Sequence, residues 1–387
     1  MSWLQRYFKG DHTLWIIVFI LACASCMAVY SSTGTLAYKY QGGNTEYYLM
    51  KHMMILIFGF GIMYGVHLIN YTYFLRIAKV ALMITIPLLF LTLLMGTSLN
   101  EASRWLKVPV LGISFQTSDL AKLALLLYVA RTLSRNQNNI KDFKSAFVPL
   151  MAPVLLVCAL ILPANFSTAS ILFCTCLVLM FIGRINLKYV FATLGIALSM
   201  FVLFILVAKL TGYDGRISTW EKRIESFSSK DPDANYQSER AKIAIATAGI
   251  TGKGPGNSVQ RNFLPHPYSD FIFAIIIEEF GLVGAFMLLL LYLTLLYRTL
   301  LIVKRSDKAF ASLFAFGCAF SLVFQALINM AVAVNLFPVT GQPLPFISMG
   351  GTSLWFTCCA VGIIISVSRD LEKEEQANVK GNLQTVS

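Results

Sequence analysis

Long apolar stretches separated by short polar segments run the length of this 387-residue chain. Ten of these stretches approach the length that a helix needs to cross a bilayer, about 20 residues. The pattern therefore predicts an all-α fold, a polytopic membrane protein with ten transmembrane helices in a single domain, residues 1–387. The predicted spans cover residues 13–31, 52–69, 76–96, 116–134, 147–163, 167–183, 188–211, 270–300, 308–334 and 349–367.

Lysine and arginine positions predict the orientation of these spans, because short cytoplasmic loops are enriched in basic residues. The short loops assigned to the outside contain only Lys39, Lys51, Arg104 and Lys107, and the short segments on the other side contain many more. We therefore expect both termini in the cytoplasm, as a short N-terminal segment, 1–12, and a tail, 368–387.

A long outer loop, residues 212–269, joins the seventh and eighth predicted spans. Ile217, Trp220, Ile224 and Phe227 recur in it at helical spacing with charged residues between them, which predicts a helix lying on the outer membrane surface. Loops of this length in compact proteins are usually functional.

Composition agrees with a membrane protein, since 57% of the residues are hydrophobic and only 13% are charged. The net charge of +12 does not indicate a nucleic-acid partner, because the basic residues are scattered over the loops. All eight cysteines fall inside apolar stretches, so no metal ligands are predicted. Ser-x-x-Lys, Gly-x-Ser-x-Gly and HExxH motifs are missing from the sequence, which gives no support to acyl-enzyme, hydrolase or metalloprotease chemistry.

Unusual polar chemistry is concentrated in the predicted outer loops. Four basic residues there could together hold a pyrophosphate, although each alone could equally face solvent or lipid phosphates. Glycine-rich turns with open N–H groups offer a further anion site. The predicted substrate-binding residues are Arg104, Lys107, Lys253, Arg261, Ser348, Gly350 and Gly351.

Three carboxylates begin the eighth predicted span. Asp270 stands at its start, where it could cap the helix or act as a general base. On a continuous helix Glu278 would lie about 12 Å deeper, where an ionised group costs on the order of 3 kcal/mol. A partner is therefore expected, and Lys122 and Asp119 are the candidates. Glu278 and Glu279 are predicted to form structural ion pairs that brace the helix carrying Asp270.

Several segments in order resemble the SEDS family (shape, elongation, division and sporulation). They are "ASRWL", "FQTSDLAKLA", "GKGPGNS", "LPHPYSDFIFAIIIEEFGLVGA" and "PVTGQPLPFISMGGTS". The resemblance implies a peptidoglycan glycosyltransferase that polymerises lipid II in the bacterial cytoplasmic membrane, with Asp270 as its catalytic residue. It also implies a class B penicillin-binding transpeptidase and other divisome proteins as partners.

Two positions depart from the family pattern. Thr117-Ser118-Asp119 stands where the family has Pro-Ser-Glu, and Asn165 stands where it has an aspartate. The N-terminal segment resembles the division type (FtsW-like) more than the elongation type (RodA-like), so septal cell-wall synthesis is the expected role.

The implied reaction converts an α-linked pyrophosphate into a β-1,4 bond, hence a single inversion with one base. Arg104, Lys253 or a divalent cation, Mg²⁺ or Mn²⁺, would balance the leaving charge, and no other cofactor is expected. A lipid II flippase and a non-catalytic scaffold for the transpeptidase remain as alternatives.

Overall fold

A helix accompanies each of the ten predicted spans. The structure, a computed structural model, describes residues 7–95, 97–99, 102–107, 114–211, 227 and 235–386. The α-helices of this part are α1 His12–Ser32, α2 Gly34–Tyr40, α3 Thr45–Leu68, α4 Tyr71–Met95, α5 Thr117–Arg135, α6 Val148–Ile161, α7 Phe166–Ile182, α8 Leu187–Thr211, α9 Tyr236–Ala246, α10 Ile272–Arg305, α11 Ala309–Ala333 and α12 Thr352–Val386.

Seven helical segments in the described part are long and apolar enough to cross a membrane. They are α1, α3, α4, α10, α11, α12 up to Ala377, and α6 together with the π-helical turn Phe143–Phe147 before it. In the described residues α7 and α8 provide shorter apolar helices, and α5 carries Asp119, Lys122 and Arg131. Membrane crossing by α5, α7 and α8 stays a prediction.

Two helices form the centre of the bundle. In both α11 and α12, 72% of the most apolar window is buried inside the protein, against 22% in α3. α11 packs against α5, α7, α10 and α12, and α12 packs most extensively against α3. The segment between α11 and α12, residues 334–351, is called the α11–α12 loop below, and it is therefore anchored at both ends in the core.

A small antiparallel sheet lies between α4 and α5, where only a loop was predicted. Its strands are β1 Thr97–Leu99, β2 Ala102–Lys107 and β3 Ser114–Gln116, in the order β1-β2-β3. Trp105 of β2 pairs with both Thr97 and Gln116. The all-α expectation fits the remaining described elements, which are helical.

The eighth predicted span is not one continuous helix. Gly281 lies inside α10 with φ 67° and ψ −166°, which breaks the helix into residues 272–280 and residues 282–305. The second part alone is about 36 Å long, enough to cross a bilayer. The expectation of one continuous helix from Asp270 through Glu278 and on to the end of the span is therefore wrong, and Glu278 precedes the break.

The last helix continues beyond the predicted span and includes most of the expected tail, residues 368–386. Arg369 and Asp370 are both buried there, and their side chains pair at 2.7 Å. The Asp11 amide donates to Ser368 Oγ at 3.0 Å. The N-terminal segment and the start of the tail therefore meet at one end of the bundle.

The amphipathic helix predicted around Ile217 to Phe227 lies outside the described residues, apart from Phe227 itself. The described part of the long loop contains α9 and the segment after it, which runs up to α10.

The predicted topology places Asn262 outside and Gln376 inside, and both side chains are exposed. Single cysteines at these positions, in a background without the native cysteines, should differ in their reaction with a membrane-impermeant maleimide in intact cells. We expect Asn262→Cys to be labelled and Gln376→Cys to be labelled only after the membrane is permeabilised. Labelling of Gln376→Cys in intact cells would reverse the topology.

Candidate functional site

Side chains of the membrane helices bind the backbone of the α11–α12 loop. This loop is not helical, so its buried carbonyl groups need donors from elsewhere. Four carbonyls find one: Gln342 from Asn329 Nδ2 at 2.7 Å, Pro343 from Gln325 Nε2 at 2.9 Å, Pro345 from the Tyr292 hydroxyl, and Ile347 from Ser25 Oγ at 2.9 Å.

The backbone around Asp270 is fixed by the same loop. Ser348 Oγ donates to the Ser269 carbonyl at 2.7 Å, and the Met349 amide donates to the Tyr268 carbonyl at 3.0 Å. Asn329 Nδ2 also donates to the Asp270 carbonyl, at 2.9 Å. Three hydrogen bonds therefore hold three consecutive residues, and the last of them is Asp270.

The Asp270 carboxylate is partly exposed, and Oδ1 accepts a hydrogen bond from Ser269 Oγ at 2.9 Å. The cap residue of α10 is Phe271, and no side-chain cap bond forms there. A β-carbon on Gly341 would stand 3.7 Å from Oδ2. Among the residues that the structure describes, Asp270 forms no ion pair. The geometry thus leaves this carboxylate free to accept a proton.

Tyr268 adds a neutral hydroxyl beside this carboxylate. Burial raises the pKa of the Tyr268 phenol, and the nearby Tyr48, Tyr40 and Asp270 raise it further. Its hydroxyl lies 3.2 Å from His266 Nδ1. The phenol therefore stays protonated at neutral pH.

Glu278 binds the segment that precedes Asp270. Its carboxylate is completely buried and pairs with Lys253 Nζ at 2.6 Å. It also accepts the Val259 and Gln260 amides, each at 3.1 Å, and the Ser258 hydroxyl. Lys253 was predicted to bind pyrophosphate, and here its charge is neutralised by Glu278.

Glu279 and Arg261 extend these contacts to the end of α1. Glu279 Oε1 accepts the Ser258 amide at 3.3 Å and the Ser31 hydroxyl. Arg261 Nη1 donates to the Ser31 carbonyl at 3.0 Å and to Ser31 Oγ at 3.1 Å. The two glutamates therefore hold residues 253–260 against the helix that follows Asp270. The ion pair predicted for Glu279 is wrong for the described residues, because its carboxylate accepts hydrogen bonds from an amide and a hydroxyl instead.

Two glycines let this segment cross α10 at its break. Gly252 and Gly281 have φ of 78° and 67°, in the left-handed region. A β-carbon on Gly252 would lie 2.2 Å from the Glu279 carbonyl oxygen, and one on Gly281 would lie 2.1 Å from the Ile250 oxygen. The backbones of the loop and of α10 are therefore closer here than any residue with a β-carbon would allow.

Lys122 and Asp119 pair at 2.8 Å in α5, and Lys122 Nζ also lies 3.2 Å from Gln325 Oε1. Of the two partners predicted for Lys122, the structure shows Asp119; Glu278 pairs with Lys253 because the preceding loop folds back onto it. The three polar side chains line a pocket between α5, α11 and α12. Since Gln325 also binds Pro343, the pair is linked to the α11–α12 loop.

Asn165 occupies the position where the resemblance expects an aspartate, and it caps α7. Its Oδ1 accepts the Thr168 amide at 3.2 Å and Gln342 Nε2 at 3.2 Å. Gln342 Nε2 also donates to Thr168 Oγ1 at 2.9 Å. An amide oxygen therefore suffices for both contacts.

The remaining predicted binding residues are not brought together as one group. Arg104 and Lys107 belong to β2, and their side chains lie outside the described part of the chain. Gly350 and Gly351 directly precede α12, where helix N–H groups favour anions. Ser348 Oγ is used within the protein, since it accepts the Leu344 amide at 2.8 Å and donates to Ser269.

Sequence reasoning missed the residues that hold the α11–α12 loop. Gln325 and Asn329 lie four residues apart in the otherwise apolar α11, and hence on one helix face. That spacing was the available signal, because buried polar side chains in a membrane helix need partners. Tyr292 and Ser25 gave no comparable signal.

Metal ligands are also not clustered: across the described ranges no group of three or more His, Cys, Asp and Glu side chains could hold a metal ion.

The fold and the site define a polytopic membrane protein with a carboxylate-centred polar site where two loops meet. The family model for FtsW, RodA and SpoVE, described as "Cell cycle protein", matches residues 11–373. The chain therefore belongs to this family.

Relatives match over nearly their whole length. A Geobacter sulfurreducens protein named "Probable peptidoglycan glycosyltransferase FtsW" is 31% identical over 376 residues, 95% of this chain and 97% of that relative. "Stage V sporulation protein E" of Bacillus subtilis is 31% identical over 369 residues, 93% of this chain and 97% of that protein.

Solved structures share the fold. The crystal structure of the Thermus thermophilus rod shape determining protein RodA has a TM-score of 0.69 at 22% identity, covering 94% of this chain and 98% of that one. A chain from "Structural coordination of polymerization and crosslinking by a peptidoglycan synthase complex" has a TM-score of 0.72 at 23% identity, with coverage of 94% and 98%.

Gly252→Ala should destabilise the protein far more than Gly256→Ala. Both positions have φ of 78°, but only at Gly252 would the added β-carbon meet backbone within 4 Å. The left-handed backbone alone costs a residue with a β-carbon roughly 1–2 kcal/mol, and Gly256→Ala measures this cost. The further drop in thermal midpoint in Gly252→Ala measures the clash between the two backbones. Equal midpoints would contradict the close approach.

Lys253→Met should destabilise the protein by about 2 kcal/mol, because Glu278 is left buried without its cation. Lys242→Met breaks an exposed pair with Glu239 and should cost little. Thermal unfolding in detergent measures both variants; equal thermal midpoints for Lys253→Met and Lys242→Met would refute a stabilising buried pair.

Proposed function

We propose that this protein is a peptidoglycan glycosyltransferase that polymerises lipid II at the outer face of the bacterial cytoplasmic membrane. Family membership and the name of the Geobacter relative support the reaction class. The observation that carries the assignment is the Asp270 carboxylate, which is partly exposed and free of a cap bond. The backbone that carries it, residues 268–270, is held by three hydrogen bonds to its carbonyl groups.

Asp270 acts as the general base in this proposal. It takes the proton of the acceptor sugar's 4-hydroxyl while that oxygen forms a bond to the anomeric carbon of the donor. The bond from that carbon to the pyrophosphate oxygen breaks, and undecaprenyl pyrophosphate leaves with the electron pair. A single displacement inverts the anomeric centre, so one base suffices and no covalent intermediate forms.

The charge of the leaving pyrophosphate needs a counter-charge other than Lys253, which is paired with Glu278. Arg104 and Lys107 of β2 and the amides of Gly350 and Gly351 before α12 are the proposed partners. Arg261 binds Ser31 through one nitrogen only, so its guanidinium has further donors to offer. A divalent cation, Mg²⁺ or Mn²⁺, is an alternative that metal removal would test.

Septal synthesis during cell division is the proposed setting, with a class B penicillin-binding transpeptidase and other divisome proteins as partners. The name FtsW of the Geobacter relative supports the division role. A structural neighbour belongs to a complex described as coordinating polymerization and crosslinking, which supports a crosslinking partner.

Asp270→Asn tests the base directly. It keeps the size of the side chain but removes the proton acceptor, so a folded protein should polymerise lipid II at least about a hundredfold more slowly. Asp270→Glu should also be severely impaired, because the longer side chain displaces the carboxylate. Glycan chains made by purified protein with its transpeptidase partner are measured on a gel.

Asp307→Asn is the matched control, because Asp307 also stands two residues before a helix and is exposed at the start of α11. It should leave polymerisation unchanged. Normal polymer from Asp270→Asn would refute the base. Transport of lipid II without any polymer from the wild-type protein would favour a flippase, and loss of transpeptidase activation alone would favour a scaffold.

A further inference from the structure

A buried serine–histidine pair lies beneath the α11–α12 loop and has no part in the proposed chemistry. Ser25 of α1 and His52 of α3 are both completely buried. Ser25 Oγ lies 2.7 Å from His52 Nε2 and 2.9 Å from the Ile347 carbonyl oxygen. Two membrane helices therefore meet the loop through one hydroxyl.

Hydrogen-bond balance assigns the direction of these contacts. A hydroxyl has one proton, and the Ile347 carbonyl can only accept, so Ser25 donates to Ile347. His52 must then donate from Nε2 to Ser25. In the neutral ring this leaves Nδ1 as an acceptor, and Nδ1 is buried without a hydrogen-bond partner. The imidazole thus serves the loop through a single N–H.

The bond to Ile347 reaches the loop beside an unfavourable backbone conformation. Phe346 has φ of 65°, in the left-handed region that side-chain-bearing residues avoid. Hydrogen bonds flank it on both sides, from Tyr292 to Pro345 and from Ser25 to Ile347. Strained conformations persist only where the surroundings fix them, so loss of either bond lets the turn relax.

The residues directly after Ile347 make the contacts that hold the backbone just before Asp270. Ser348 Oγ donates to the Ser269 carbonyl at 2.7 Å, and the Met349 amide donates to the Tyr268 carbonyl at 3.0 Å. A shift at Ile347 therefore moves both donors that hold the residues before Asp270. Displacement of a reacting group by about 1 Å can reduce a rate about a hundredfold.

We propose that Ser25 and His52 are positioning residues, which lock the α11–α12 loop through Ile347 and thereby fix Asp270 for catalysis. The kinetic part of this inference rests on the proposed polymerase function. The lock itself is independent of that function, and it can be measured as protection of the loop amides.

Three substitutions test the lock. Ser25→Ala removes the donor to Ile347, and His52→Leu removes the donor to Ser25. His52→Gln keeps an N–H donor near the position of Nε2. We expect Ser25→Ala and His52→Leu to lower the turnover number for lipid II about tenfold with KM unchanged, and His52→Gln to stay within about twofold of the wild type.

Ser366→Ala is the matched control. Ser366 is also a completely buried helical serine, and its hydroxyl donates to the carbonyl of Ile69, at the far end of α3 from His52. It loses an equivalent hydrogen bond with no contact to the α11–α12 loop. It should lower the thermal midpoint, although by less than Ser25→Ala, which also leaves the buried His52 N–H without an acceptor. It should leave the turnover number unchanged.

Hydrogen exchange gives a readout that does not depend on activity. Peptides covering residues 344–349 and 268–271 should exchange faster in Ser25→Ala and His52→Leu than in Ser366→Ala or His52→Gln. Unchanged exchange in Ser25→Ala overturns the lock, as does a His52→Gln variant as slow as His52→Leu. Absence of polymer from the wild-type protein would instead overturn the proposed function, while the exchange measurement still decides the lock.

Discussion

Buried backbone that is not helical needs hydrogen-bond partners from elsewhere in the protein, and the side chains that supply them organise its polar end. Two segments need such partners, residues 253–260 and the α11–α12 loop. The first presents N–H groups, and these go to Glu278 and Glu279, whose carboxylates can only accept. The second presents carbonyl groups, and these accept hydrogen bonds from four side chains on three helices: Ser25, Tyr292, Gln325 and Asn329. Each side-chain type is matched to the backbone group that it can satisfy.

This matching of side chains to backbone groups explains why one apolar stretch of ten residues, 270–279, contains three carboxylates. The carboxylates of Glu278 and Glu279 already bind backbone amides, hydroxyls and Lys253, so they act as buried structural acceptors. The Asp270 carboxylate accepts one hydrogen bond, from the Ser269 hydroxyl. Asn329 donates to the Asp270 carbonyl group and not to its carboxylate. The same contacts therefore immobilise the main chain at Asp270 and leave its side chain chemically available, as a positioned base requires.

Hydropathy predicted the positions of the helices because burial in lipid demands long apolar stretches, and the resemblance to the SEDS family singled out Asp270 as the catalytic candidate. Hydropathy could not predict the break at Gly281, since a left-handed glycine inside "EEFGLVGA" leaves the apolar pattern unchanged. Nor could it predict the partner of Glu278. Depth along a straight helix suggested Lys122, whereas Lys253, 25 residues earlier in the chain, reaches Glu278 only because Gly252 lets the loop cross the break. The α12 extension was missed because a polar helix beyond the membrane has no hydropathy signal.

The Lys122–Asp119 pair bears on the choice between a polymerase and a transporter. Alternating access moves one half of a transporter against the other around a site near the middle of the membrane. Here Lys122 binds both Asp119 and Gln325, and Gln325 in turn binds the Pro343 carbonyl of the loop that fixes Asp270. Any movement that opened the pocket around Lys122 would break the hydrogen bond from Gln325 to the buried Pro343 carbonyl. Each buried group left unsatisfied costs about 1–3 kcal/mol. The pair is thus built into the support of Asp270, which favours a fixed site at one face over a path through the bundle.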